Sequence, residues 1–370
     1  MTTISILVCA YNAQEYISQC LDSLLTQTFH DIEIIIVDDG STDETPNILA
    51  SYATKHPIIR VLHQKNAGPG VARNLALSHA KGKYIMFCDS DDWYEPTMCE
   101  KMYSCINSNN VDLVCCNCVL EYKGNSFGRD KHRLDYHYLK FEGKREISLD
   151  TKKLINSVLW NKIFKKELID QFNISFPAIR EHDDDSFVSQ YLYVARSVWG
   201  LMSPLYHYRL REKSIMAIYW QEPQKADKWT HLQSWQHTGF FLIKQLKKST
   251  LPIDYIGQFF ASMRLMQQVF SWKTLSEKDK SIIKNFIKDL PFNSHVSAEY
   301  PLYLAQRGNF DVLEQALRVD KQIFSLGKII LWRQERTWRE KYLFVLGIEI
   351  YKRDYFKRKI RLFGIIKIRI

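Results

Sequence analysis

The run Ile32-Glu33-Ile34-Ile35-Ile36-Val37, cut off by Asp38-Asp39-Gly40, constrains the fold more than any other feature of this chain. β-Branched residues suit a pleated strand, and so continuous a run fits a strand buried on both faces. Such strands sit in parallel sheets covered by helices. The flanking segments agree. Residues 4–9 are a short apolar run, and residues 13–28 place Ile17, Leu21, Leu24 and Leu25 at helical spacing. Ser41-Thr42-Asp43-Glu44 has the form of a capping box opening a second helix. Residues 58–62 read as a third strand, 70–80 as a helix and 84–88 as a fourth strand. The alternation predicts an α/β fold with a doubly wound, mostly parallel sheet. Ligands in such sheets bind beyond the carboxyl ends of the strands.

Three of these strands end in groups that carry chemistry: Cys9-Ala10-Tyr11-Asn12, Asp38-Asp39-Gly40-Ser41 and Asp89-Ser90-Asp91-Asp92-Trp93. In a parallel sheet all three lie on one edge. Carboxylates packed that closely repel unless a cation sits among them. Mg²⁺ and Mn²⁺ prefer carboxylate oxygen and commonly bridge to phosphate. The edge thus offers a carboxylate for a base, a ring for stacking and a metal–diphosphate site. A solvated Asp-rich turn is the plainer alternative for any one cluster; the repetition of clusters behind apolar runs weighs against it. Asn66-Ala67-Gly68-Pro69-Gly70 through Arg73-Asn74 adds glycines and a cation. Neither G-x-G-x-x-G nor a Walker sequence occurs, which disfavours nicotinamide and ATPase readings. Farther on, Glu181-His182-Asp183-Asp184-Asp185-Ser186-Phe187 crowds carboxylates so that some pKa values rise, which suits a general base. The same residues also suit a helix N-terminus.

The chain has 370 residues, 46% hydrophobic and 25% charged, a globular balance. No stretch is long and apolar enough to span a bilayer, and the N-terminus runs into a strand pattern without a basic leader. The eight cysteines lie between Cys9 and Cys118 without zinc-knuckle spacing, so reduced core cysteines are expected. Residues 331–370 hold twelve Lys/Arg against four Asp/Glu, which is most of the net charge of +10. The rest is near neutral and gives no sign of a nucleic-acid surface. Helices are expected over 226–247, 254–272 and 276–290, with Trp229, Trp235, Phe240 and Phe241 as core, and a boundary near 215–225. The organisation expected is 1–220 catalytic, 221–330 helical and 331–370 a basic aromatic tail. A faint tail echo, Leu346-Gly347-Ile348 and Phe363-Gly364-Ile365, continues with strand-like alternation.

Val8-Cys9-Ala10-Tyr11-Asn12, Val37-Asp38-Asp39-Gly40-Ser41, Asn66-Ala67-Gly68 through Arg73-Asn74, and Asp89-Ser90-Asp91-Asp92-Trp93 stand in the order and spacing of family 2 glycosyltransferases of the GT-A fold. The first hundred residues resemble this family almost throughout. Trp160-Asn161-Lys162 is similar to its stretch before the base, and Asp183-Asp184-Asp185-Ser186-Phe187 to its acidic-pair-then-Phe motif. Cys9 departs from the usual Pro or Thr, and His182-Asp183-Asp184 from the usual Glu-Asp pair.

The resemblance implies an inverting transferase using a nucleotide-sugar donor, most readily UDP-linked, with Mn²⁺ or Mg²⁺ as cofactor. Asp184 or Asp183 would be the base, with Asp185 left open. Ala10, Tyr11, Asp39, Gly68, Arg73, Asp89 and Ser90 would meet the donor nucleotide. Asp91 would bind the metal, and His207 would either reach it or be an ordinary loop histidine. Trp160, Asn161 and Lys162 would lie on the acceptor side. Tyr206-His207-Tyr208-Arg209 followed by Ser214 is similar to the family's loop over the donor diphosphate. The acceptor implied is a growing bacterial surface glycan, a lipid-linked oligosaccharide among the options. The place implied is the cytoplasmic face of the membrane, with the tail as peripheral contact to anionic lipid and a homo-oligomer left open. The alternatives are another nucleotide-sugar enzyme, which needs a Gly-rich loop after strand one, or an inactive glycan-binding scaffold. The latter would be expected to have lost Asp91 or the base, and both are present.

Overall fold

The computed structural model describes residues 2–122, 133–136, 139–148, 151–152, 154–211, five positions between Ser234 and Gln245, and four strands between Glu340 and Arg369. The chain divides into two compact units, Met1–Thr238 and Gly239–Ile370.

In the first unit the four expected strands form as β1 (Ile4–Ala10), β2 (Ile32–Asp38), β3 (Ile59–His63) and β4 (Tyr84–Asp89), all parallel. They alternate with helices α1 (Ile17–Leu25), α2 (Thr45–Lys55) and α3 (Pro69–His79). Then come β5 (Trp93–Tyr94), α4 (Met98–Ser108), β6 (Leu113–Tyr122), β7 (Arg133–Tyr136), β8 (Gly143–Glu146), β9 (Lys162–Lys165), α5 (Lys166–Phe172), α6 (Asp183–Val194) and β10 (Ser197–Leu210). The sheet order is β3-β2-β1-β4-β9-β6-β10-β5. β9 runs antiparallel to both β4 and β6, so β6 and its neighbour β10 point the same way as β1 to β4. The sheet is mostly parallel, as expected, with β5 and β7–β9 antiparallel. β1 sits between β2 and β4, so strand order reverses there and leaves a crevice at the carboxyl ends.

Both faces of the central strands are buried. Ile4, Ile6, Val8, Ile34, Ile36 and Met86 share one core with Cys20, Leu21 and Leu24 of α1 and Met98, Met102 and Ile106 of α4. The alternate residues, Leu7, Ile35, Val37, Ile85 and Phe87, are also buried, on the opposite face. There Phe87 meets Phe164, Phe176 and Phe187 at ring distances of 5.7–5.9 Å. Each such side chain contributes roughly 1.5–3 kcal/mol on burial. Phe187 lies in α6, so this aromatic cluster pins the acidic first turn of that helix to β4. Gly70 permits the close approach of the intervening loop: a Cβ there would sit 2.1 Å from the Pro177 carbonyl oxygen.

Some local expectations change. The capping box does not form: Ser41 Oγ accepts the Asn12 N–H at 3.0 Å, and the Thr42 N–H donates to Asn12 Oδ1 at 2.8 Å. The β1 and β2 loops are thereby laced together, and Asp43 Oδ1 accepts the Thr45 N–H at 3.0 Å. The first compact unit ends at Thr238, and Ser186 Oγ lies 3.0 Å from both His237 Nδ1 and Thr238 Oγ1 within it. All eight cysteines are free.

In the second unit, β11 (Glu340–Val345), β12 (Ile348–Arg353), β13 (Lys357–Leu362) and β14 (Ile366–Arg369) form an antiparallel sheet in sequence order. The tail echo therefore marks two similar strand pairs. The helices expected over 254–290, and Trp229, Trp235 and Phe240, lie outside the described residues; Phe241 is buried and helical.

Candidate active site

The carboxyl ends of β1, β2 and β4 meet the first turn of α6. At β1, Ala10 is buried and its carbonyl accepts the Asp39 N–H at 2.8 Å. Tyr11 is 50% exposed, a large ring left open at the sheet edge. Asp39 is buried and does not present a free carboxylate. Its Oδ1 accepts from Gln64 Nε2 at 2.7 Å and from the Ala67 N–H at 2.8 Å, and its Oδ2 from the Gly68 N–H at 2.9 Å. Asp39 thus folds the 64–68 loop against the edge. Gly40, at φ 75°, is required there because a Cβ would meet the Asn66 nitrogen at 2.8 Å.

The β4 end divides its carboxylates among different partners. Asp89 Oδ1 pairs with Arg73 Nη2 at 3.1 Å, and Arg73 Nη1 reaches Asp183 Oδ2 at 2.5 Å. Arg73 therefore clamps the end of β4 to the start of α6. Asp91 Oδ2 pairs with Arg211 Nη2 at 2.5 Å. Asp92 is buried: its Oδ2 accepts the Tyr206 phenol proton at 2.8 Å and its Oδ1 the Arg209 N–H at 2.7 Å. The Asp89 N–H in turn donates to Tyr206 Oη at 3.2 Å. Burial, then the charges of Asp91 and Asp89, raise the Asp92 pKa well above its ordinary value. Ser90 is partly buried in the turn between them.

At the start of α6, His182 takes a left-handed conformation, φ 60°, and three carboxylates follow with three different surroundings. Asp183 is held by Arg73, and Asp185 lies 3.3 Å from His182 Nδ1. Asp184 Oδ1 accepts the Asp185 N–H at 2.8 Å, a local bond that brings no cation. Burial first, then Asp185 and Asp183, push the Asp184 pKa well above the carboxylate range, with Arg73 opposing.

Four expected site residues are placed elsewhere. Both His207 nitrogens are engaged, Nε2 with Glu95 and Nδ1 with Glu121, each at 2.8 Å, and the ring stacks on Trp93. Both ring nitrogens thus have carboxylate partners in place of a metal. Trp160 stacks on Tyr206 at 4.4 Å and Asn161 donates to the Cys116 carbonyl, both buried. Lys162 has no exposed surface; its Nζ donates to Asn156 Oδ1, the Val158 carbonyl and Asn161 Oδ1, and burial lowers its pKa to about 8. These three brace the sheet beneath the site and do not line its surface. Conversely, Arg211 lies directly on Asp91; the alternating Arg209 and Arg211 were its only trace in the sequence. Ser214 lies outside the described residues.

A divalent metal fits this donor set in one way only. Among the described residues no group of three His, Cys, Asp or Glu could hold an ion. Asp91 offers a hard carboxylate, 20% exposed at the open edge, so most of the ion's shell would come from ligand oxygens.

Comparison with known proteins gives the family and the fold. The family described as Glycosyl transferase family 2 matches residues 5–172. Glycosyltransferase GlyG of Streptococcus pneumoniae serotype 4 is 32% identical over 228 residues, 58% of this chain and 72% of that protein. The chain belongs to glycosyltransferase family 2. EpsH of Bacillus subtilis (strain 168) is 39% identical over 228 residues, 58% of this chain, and the match spans 63% of its own length. Among solved structures, S. aureus TarS 1–349 in complex with UDP-GlcNAc is similar in fold: TM-score 0.60 at 22% identity, covering 96% of this chain and 97% of that one.

Proposed function

We propose that this chain is an inverting glycosyltransferase that moves a hexose or N-acetylhexosamine from a UDP-sugar to a hydroxyl of a growing bacterial surface glycan. The observation that carries this reading is the convergence of Tyr11, Asp91 and Asp184 on one sheet edge, with Arg73 joining the β4 and α6 clusters. Tyr11 stacks on the nucleobase, and the Asp39-ordered loop with Gly68 borders it. Family membership supports the transfer chemistry; donor and acceptor are part of the proposal.

Within that reading Asp184 is the base. Asp183 is neutralised by Arg73 and Asp185 faces His182, whereas Asp184 is desolvated and more basic than an ordinary carboxylate. It takes the acceptor proton as the hydroxyl attacks the anomeric carbon from the face opposite the leaving nucleotide, so no covalent intermediate is needed. Mn²⁺ or Mg²⁺ held at Asp91 would supply positive charge to the departing diphosphate. Arg73 fixes the distance between the two halves of the site.

The test is incubation of the purified chain with a panel of UDP- and GDP-sugars and Mn²⁺, with released nucleotide measured with and without EDTA. Release from one UDP-sugar, abolished by EDTA, is expected. No release from any donor in the presence of acceptor glycans overturns the transferase reading. Undiminished release in EDTA overturns the metal assignment alone.

We also assign the chain to the cytoplasmic membrane face, where a lipid-linked acceptor would lie. Among the described residues no helix is long and apolar enough to cross a membrane. The basic excess of residues 331–370 supports peripheral contact, each basic residue near an anionic surface contributing about 1 kcal/mol. Sedimentation with acidic liposomes, comparing the full chain with one ending near residue 330, should show salt-sensitive binding only for the former. Equal pelleting of the two excludes the tail.

A further inference from the structure

Asp89 and Asp91 each pair with an arginine, and the two arginines are held very differently. The Arg73 side chain is 14% exposed and locked between two carboxylates, Asp89 and Asp183. The Arg211 side chain is 40% exposed, one residue beyond the end of β10. Among the described residues it makes one ion pair, to Asp91 Oδ2, and its guanidinium carbon lies 5.2 Å from the Tyr16 ring centroid. Its Nε is buried without a hydrogen-bond partner. A guanidinium has five donors, and an orphaned buried donor is a standing cost. Arg73 is therefore fixed, whereas Arg211 would gain by meeting a further acceptor.

Asp91 is also the carboxylate to which the proposed function assigns the divalent ion. A guanidinium and a divalent ion cannot share that carboxylate oxygen, since the two cations repel and compete for the same lone pairs. We propose that Arg211 is a built-in cation that neutralises Asp91 in the ligand-free protein and is exchanged for the metal. On exchange, its guanidinium turns to the phosphate oxygens of the donor. This inference rests on the reading of Asp91 as the metal-binding carboxylate. Its consequence is coupling. Metal alone must expel Arg211 and binds weakly, whereas metal with a diphosphate gives the displaced guanidinium a new partner. Linkage makes the effect mutual, so the nucleotide tightens metal binding as much as metal tightens the nucleotide.

The exchange is tested by titrating Mn²⁺ alone into the full chain and following free Mn²⁺ by electron paramagnetic resonance. Wild type, Arg211→Gln, Arg211→Lys and Asp91→Asn are compared, with thermal melts to establish that each is folded. Removing a competing, partly exposed ion pair should tighten Mn²⁺ binding about two- to fivefold in Arg211→Gln. Arg211→Lys should fall between it and wild type, and Asp91→Asn should lose the site. Equal affinity in wild type and Arg211→Gln, with binding lost in Asp91→Asn, overturns the exchange and leaves the metal reading standing. Undiminished binding in Asp91→Asn overturns the metal reading itself. UDP binding measured by calorimetry at saturating Mn²⁺ supplies the second half. Arg211→Gln should weaken it, and unchanged UDP affinity overturns the transfer of the guanidinium to phosphate.

Discussion

At the end of β4 every carboxylate has a dedicated partner, whereas at the start of α6 one of three, among the described residues, accepts only a neighbouring backbone N–H. Asp89 and Asp91 face arginines, and Asp92 is consumed by Tyr206 and the Arg209 N–H. In α6, Asp183 has Arg73 and Asp185 has His182, but Asp184 is buried beside like charges. Under the proposed function, two runs that look alike in sequence are put to different uses. In the first, arginines face Asp89 and Asp91, and the carboxyl raised by burial, Asp92, is tied up by Tyr206 and the Arg209 N–H. In the second, the carboxyl raised by burial, Asp184, is left to serve as the proton acceptor.

The largest effect should come from removing that one basic group. Asp184→Asn should lower kcat by ~10²–10⁴-fold while UDP affinity by calorimetry stays put. If Asp183→Asn is dead and Asp184→Asn active, the contrast within α6 is assigned to the wrong residue. The pH sign follows from the raised pKa. The rate should climb as Asp184 loses its proton, with an acid limb above the ordinary aspartate value of 3.8. A carboxyl whose folded pKa exceeds its unfolded one stabilises the fold below the unfolded value, and that contribution is lost as pH rises through the folded one. Asp184→Asn should therefore raise Tm at neutral pH, which scanning calorimetry reads directly.

Arg73→Gln probes the joint between the two clusters. It leaves Asp183 buried without its cation, and breaking a buried pair on one side costs about 3–5 kcal/mol. Urea unfolding should register that loss; a change below about 1 kcal/mol would mean the clusters are not joined through Arg73. The smallest effect is expected at Asp92. Its pKa is already raised, and an asparagine oxygen can still accept one of its two bonds. Asp92→Asn should cost about 1 kcal/mol of stability and leave Mn²⁺ affinity intact. Loss of metal binding there would erase the distinction between Asp91 and Asp92.

The central strands and the polar ends of β1, β2 and β4 were readable because both signals are local. A β-branched run and the carboxylates that stop it lie within ten residues. The same holds for α6, where Asp184 and Phe187 share a helix face. What could not be read depends on distant partners. Nothing local in Ser197–Leu210 says that it pairs with β6 and carries Tyr206 to Asp92 and Arg209 to the Asp91 carbonyl. His207 looked available because Glu95 and Glu121, which occupy its nitrogens, are far away in sequence. The capping box failed for the same reason: Asn12, from another loop, took Ser41 and Thr42. Lys162, expected on the acceptor side, is a different case: its partners Asn156, Val158 and Asn161 are near in sequence but sit on an irregular segment with no periodicity to announce them.

The Tyr206 phenol, shared between the Asp89 N–H and the Asp92 carboxylate, bears on the order in which the molecule assembles. Tyr206 and Asp92 are 114 residues apart in the chain. Closing so long a loop carries an entropic cost that must be met before the contact returns anything, and such contacts form late. During synthesis the strands from β1 to β4 leave the ribosome well before β10. The acidic turn therefore stays unorganised until the last strand of the large sheet has docked. A nascent or truncated chain lacking β10 has the signature residues but not the geometry, so a ligand of this site would report completion of the fold.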